Sequence, residues 1–104
     1  MQLLRQLFPP FALALLLTGV QIAGCVGAPV QEMSDARQAV RAAVRAGAEQ
    51  HAPAELAEAQ RFLDQAKGHL QHGKYREARE EAVQARDKAL EARRIAEEAT
   101  RAKP

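Results

Sequence analysis

The side chain best suited to covalent chemistry in this chain is the thiol of Cys25, the single cysteine among 104 residues. The thiolate is a strong nucleophile, so this position is a candidate for covalent modification. Ala23 and Gly24 come directly before it, and their small side chains leave the backbone accessible to a protease. A single cysteine cannot form a disulfide within the chain. The pattern therefore indicates a modified cysteine beside a cleavage site.

The residues before Cys25 have the composition of an export signal. Arg5 is the only charge in the first 24 residues, and a near-continuous apolar run follows over residues 11–20. A basic start, a short apolar centre and a small-residue end are typical of a secretory signal. The run is too short for a permanent membrane-spanning helix, which needs about 20 apolar residues. We therefore expect residues 1–24 to be removed on export.

The tetrapeptide Ile22-Ala23-Gly24-Cys25 resembles the lipobox of bacterial lipoproteins, in which an aliphatic residue and two small residues precede a cysteine. This resemblance implies recognition of Ile22, Ala23 and Gly24 by the signal peptidase, and cleavage before Cys25. It also implies diacylglycerol on the sulfur of Cys25, so acyl chains would hold the protein in a membrane. Val26, where an aspartate would resemble an inner-membrane retention signal, favours the outer membrane.

The histidines and acidic pairs are the other candidates for chemistry. His69 and His72 are three residues apart, a spacing that can bind zinc on one helical face, and His51 lies farther away. No HExxH motif accompanies them. Adjacent acids such as Glu80 and Glu81 do not converge on a helix. We expect no catalytic residue, no metal and no cofactor, while a metal or pH sensor built on the histidines stays open as an alternative.

The composition of residues 25–104 predicts long helices. Without Arg5, 14 basic residues stand against 13 acidic ones, so the balance gives no argument for nucleic-acid binding. Alanine, glutamate, arginine, glutamine and lysine dominate, and all of them favour helices. Tryptophan is absent and aromatic residues are few. A core built from alanine is thin, so a partner or a second copy would add to its stability.

Apolar residues recur at alternating spacings of three and four, which predicts three amphipathic helices at about 33–47, 54–72 and 75–102. Ser34 is a candidate N-cap of the first helix, and Gly73 breaks the chain between the second and the third. Residues 25–32 are predicted to form a tether between the lipid and a helical domain at 33–102. Residues 48–52 are predicted to be a connector.

Folding the chain at Gly73 makes the last two helices antiparallel. Leucines of one helix would then face alanines of the other, so the backbones can approach closely. The predicted fold is all-α: an Ala-rich antiparallel hairpin extended to a three-helix up-down-up bundle with coiled-coil-like packing. A hairpin with a looser first helix and a single solvated helix are the alternatives. The predicted seam comprises Leu56, Leu63, Leu70, Tyr75, Ala78, Ala82, Ala85, Ala89 and Ala92.

The same residues resemble a bacterial envelope family, the domain of unknown function DUF4398. The resemblance lies in Gly47-Ala48, His51-Ala52-Pro53 and Gly73-Lys74-Tyr75, with the alanine stripe that follows. It implies a small lipoprotein or secreted helical segment, in some members joined to a peptidoglycan-binding domain of the OmpA type. It provides no catalytic residues.

These observations predict a non-enzymatic lipoprotein anchored through Cys25 and facing the periplasm, which acts as a structural or protein-interaction module of the cell envelope. An envelope protein or self-association would supply its contacts. A peptidoglycan-associated tether of the major outer-membrane lipoprotein type is an alternative. That type ends on a lysine, whereas here Lys103 precedes Pro104.

Overall fold

A computed structural model describes residues 27–102, and within that range the chain is helical and contains no strand. The four helices are α1 (Val30–Arg45), α2 (Ala48–His51), α3 (Pro53–Gln71) and α4 (Tyr75–Arg101). The all-α prediction is confirmed. The predicted signal peptide, the lipobox and Cys25 lie outside the described residues.

Helix α1 begins three residues before the sequence-based start, so residues 30–32 form its first turn instead of part of a tether. Pro29 occupies the N-cap position with φ −79°, a torsion angle close to that of a helix, and Glu32 places a carboxylate near the positive end of the helix dipole. Ser34 consequently lies inside the helix and is not its N-cap. Its hydroxyl accepts a hydrogen bond from the amide of Gln38.

The predicted connector contains the one-turn helix α2. Gly47, at φ +96°, ends α1 in the left-handed region that glycine adopts without steric cost. The chain then makes the single turn of α2, and Pro53 starts α3 at the first helical position, where proline is well tolerated. Ala48, the first residue of α2, and Ala52, which follows its last residue, are buried and pack with Leu56.

Gly73 reverses the chain between α3 and α4 through a Schellman motif. Its φ is +73°, and its amide N–H donates to the carbonyl of Leu70 at 3.1 Å. The next amide, that of Lys74, donates to the carbonyl of His69 at 2.8 Å. These two bonds satisfy carbonyls that the end of a helix otherwise leaves without partners.

Helix α4 is the central element, because it packs along both α1 and α3, whereas α1 and α3 touch each other much less. Met33, near the start of α1, clusters with Ala82 and Ala85, and Ala43, near its end, clusters with Ala92. Helix α1 is therefore parallel to α4, and α3 is antiparallel to both. This arrangement is the up-down-up bundle predicted from the alternating spacing of apolar residues.

Candidate functional site

The structure buries most of the residues assigned to the helix seam. Leu63 and Ala85 lie in one buried cluster, and Leu56 and Ala92 lie in another. Leu70 is half-buried and packs against the first of these clusters. The remaining seam alanines have no exposed surface: Ala78, Ala82 and Ala89.

Tyr75 departs from its assignment to the seam, because 37% of its surface is exposed. It is the first residue of α4, and α3 has already ended at Gln71. The pairing of Leu70 with Tyr75 therefore lies at the edge of the helical overlap, where neighbouring helices cover the ring only in part. Tyr75 is part of the end surface of the bundle.

The core also includes residues that the pairing of α3 with α4 did not identify. Ala39 is 8% exposed and clusters with Ala59 and Ala89, which brings all three long helices together. Val40 contacts every buried cluster. Val40 lies on the three-four stripe of α1, four residues after Ala36, so its partial burial could be predicted from the sequence. Ala39 lies beside that stripe, and its burial depends on the lateral position of α1 against the other two helices.

The histidines do not converge on one site. The Nδ1 of His69 lies 2.7 Å from Glu81 Oε2 on α4, whereas the Nδ1 of His72 lies 2.8 Å from the carbonyl oxygen of Gly68. His72 is already past the end of α3, and His51 belongs to α2 at the other end of the bundle. Among residues 27–102 no group of three or more His, Cys, Asp or Glu side chains is placed to hold a metal ion.

A shallow groove runs between α1 and α4 and is open to solvent. Leu90 projects into it from α4 and is 47% exposed. Arginines surround this leucine on both sides of the groove, and Ala42 forms part of the floor. The charged side chains at the groove are three basic ones and one acid: Arg45, Arg86, Arg93 and Asp35. Arginine is enriched at protein interfaces, so three arginines around an exposed apolar side chain favour a contact with another protein.

Ion pairs cover the opposite flank, between α3 and α4. The Nζ of Lys88 lies 3.5 Å from Glu58 Oε2 on α3 and 3.5 Å from Glu91 Oε2 on its own helix. Glu58 and, to a smaller extent, Glu91 raise the pKa of Lys88 above its ordinary value of 10.5. These side chains are only partly buried, so solvent screens their attraction and the pairs contribute little to stability.

Replacing Lys88 by methionine is therefore expected to leave the melting temperature nearly unchanged at neutral pH, because methionine has a similar helix propensity. The small contribution of the pair is complete below pH 10.5 and is lost as the pH rises through the raised pKa. Thermal melts of Lys88→Met and wild type at neutral and strongly alkaline pH test this pH dependence of the contribution of Lys88 to stability. A large loss of stability at neutral pH would contradict it.

The fold and the exposed surfaces define a class of protein: an alanine-rich antiparallel helical bundle that presents charged flanks. The family model of the domain of unknown function DUF4398 matches residues 31–103, and the chain belongs to this family. The chain matches no curated protein and no solved structure. Within residues 27–102 no helix is both long enough and apolar enough to span a membrane.

Proposed function

We propose that this protein is a lipid-anchored, non-enzymatic module of the bacterial cell envelope, held at the periplasmic face of the outer membrane and acting by contact with another protein. The single observation that carries the proposal is the register of Ile22-Ala23-Gly24-Cys25 at the end of an export signal. In this register the thiol of Cys25 receives the lipid, and the helical bundle follows after a few residues.

Contact with a protein is supported by the groove between α1 and α4. The groove is lined by side chains from two rigid helices, which hold their positions better than side chains on loops. Leu90 offers an apolar anchor. Arg86 and Arg93 pair with Asp87 and Glu97 on the same helix, and each guanidinium has further N–H groups that can donate to carboxylates of a partner. The partner that fits is a protein surface with an apolar residue and acidic neighbours.

Replacing Cys25 by serine is expected to abolish lipid attachment completely, because a hydroxyl does not replace the thiolate as the nucleophile for acyl transfer. Metabolic labelling with a palmitate analogue, followed by mass spectrometry of the protein, measures the attachment. A second variant, Cys25→Ser with Ala28→Cys, moves the thiol three residues away and is expected to remain unlabelled. A wild-type chain that takes up no label would overturn the lipid anchor.

Photo-crosslinking in intact cells tests the protein contact. A photoreactive amino acid in place of Leu90 is expected to give a discrete crosslinked species. The matched control carries the same amino acid in place of Ala57, an exposed residue of α3 outside the groove. The proposal requires an adduct at position 90 that Arg86→Glu and Arg93→Glu together abolish. Equal adducts at positions 57 and 90 would contradict a specific groove.

A further inference from the structure

The residues next to the lipid attachment site are fixed against the bundle. The Arg79 guanidinium donates to the carbonyl oxygen of Gly27 at 3.2 Å and pairs with the carboxylate of Glu32 at 3.5 Å. Pro29 is fully buried. The chain therefore leaves the bundle beside the first turns of α4, at the end where Gly73 joins α3 to α4.

This attachment limits the distance between the lipid and the Gly73 end of the bundle. Arg79 is four residues beyond Tyr75, or about 6 Å along the axis of α4. Cys25 precedes Gly27 by two residues, which span at most about 7 Å when extended. The acyl-bearing sulfur can thus extend little beyond the turn at Gly73. With the acyl chains in the bilayer, the turn lies at the headgroup layer.

The end surface has the chemistry of a membrane contact. Residues 65–76 contain three basic side chains and two histidines, and no acid; Asp64 and Glu77 flank the segment. The basic residues are Lys67, Lys74 and Arg76. Tyr75, 37% exposed, lies between two of these cations. Tyrosine is enriched at the interface between membrane and water, and cations near an anionic surface strengthen binding about fivefold each.

Acidic side chains also lie behind the turn, at the same end of the bundle. They are Glu77, Glu80 and Glu81 on α4, and Glu32 and Asp35 at the start of α1. Two of them have partners within the bundle, because Glu32 pairs with Arg79 and Glu81 lies 2.7 Å from His69. The opposite end likewise mixes acids with cations, so the feature that distinguishes the Gly73 end is the tip itself, where Lys74, Tyr75 and Arg76 are consecutive and none is acidic.

We infer that the α3–α4 turn, with Lys74, Tyr75 and Arg76, is a membrane-docking surface that binds anionic phospholipid headgroups and holds the bundle upright on the bilayer. The inference rests on the proposed lipid anchor at Cys25. In this orientation α4, roughly 40 Å long, carries the far end of the bundle away from the membrane and leaves the α1–α4 groove open to a partner.

Tryptophan fluorescence in the lipidated full-length protein tests the docking, because the natural chain contains no tryptophan. The variants Tyr75→Trp, Leu90→Trp and Arg101→Trp place single probes at the turn, on the groove flank and at the far end. Each is reconstituted in phosphatidylglycerol vesicles that contain brominated lipid. The probe at position 75 is expected to lose most of its fluorescence, and the probes at positions 90 and 101 to keep theirs.

The outcomes separate the two proposals. Mass spectrometry that finds no diacylglycerol on Cys25 overturns the lipid anchor and the docking together. A lipidated protein whose probe at position 75 is not quenched overturns the docking alone, as does equal quenching at positions 75 and 90, which indicates a bundle lying flat. The double variant Lys74→Gln with Arg76→Gln is expected to reduce quenching at position 75. Replacing phosphatidylglycerol by a zwitterionic lipid is expected to have the same effect. If quenching is unchanged in both experiments, anionic headgroups are not the ligand.

Discussion

Ala85→Leu is expected to lower the free energy of unfolding by about 1–3 kcal/mol, the usual cost of forcing extra carbon atoms into a well-packed core. Ala85 has no exposed surface and lies in the buried cluster with Met33, Leu63 and Ala82. Three additional heavy atoms at this position would push α4 away from both neighbouring helices. Because α4 is the element that holds α1 and α3 together, a displacement there reaches the whole bundle.

The control is Gln84→Leu, one residue earlier, where the side chain is exposed. Leucine has a high helix propensity, so an isolated helix would tolerate either substitution. Circular dichroism melts of residues 26–104 measure the difference. For a domain of this size, 1 kcal/mol corresponds to a shift of roughly 4–8 °C. An Ala85→Leu variant that melts with Gln84→Leu would show that the seam is loose enough to accept leucine.

The regular spacing of apolar residues was sufficient to predict the main helices and their pairing. The alternation of three and four residues specifies one buried face on each helix. The break at Gly73 lets the two helices on either side of it pack these faces together as an antiparallel hairpin. Leu63 with Ala85 and Leu56 with Ala92 then follow from counting residues outward from the turn. The structure places both pairs in common clusters.

Other features depend on interactions that the local sequence does not encode. The bond between Arg79 and the Gly27 carbonyl joins residues 52 positions apart, and it depends on how α1 lies against α4. The groove around Leu90 depends on the same lateral position. The short α2 is a different case, because one helical turn is too brief to show periodicity, and its burial of Ala48 and Ala52 appears only in the assembled bundle.

Gly73→Pro is expected to be the most disruptive single substitution, with a loss on the order of 3 kcal/mol, the cost of proline where the backbone does not suit it. Proline requires φ near −65°, whereas residue 73 adopts φ +73°. Proline also lacks the N–H that here donates to the carbonyl of Leu70. The Schellman motif then loses one of its two hydrogen bonds, and the chain no longer reverses in register.

A graded series at the same position separates the torsion angle from the hydrogen bond. Gly73→Asn keeps the N–H and tolerates a positive φ, so it is expected to cost least. Gly73→Ala keeps the N–H but is strained at this φ, and about 1 kcal/mol is expected, since no neighbouring atom lies within 4 Å of an added Cβ. Gly73→Pro loses both features. If the thermal melts of all three variants coincide, the turn does not define the hairpin, and contacts along α4 alone hold the helices antiparallel.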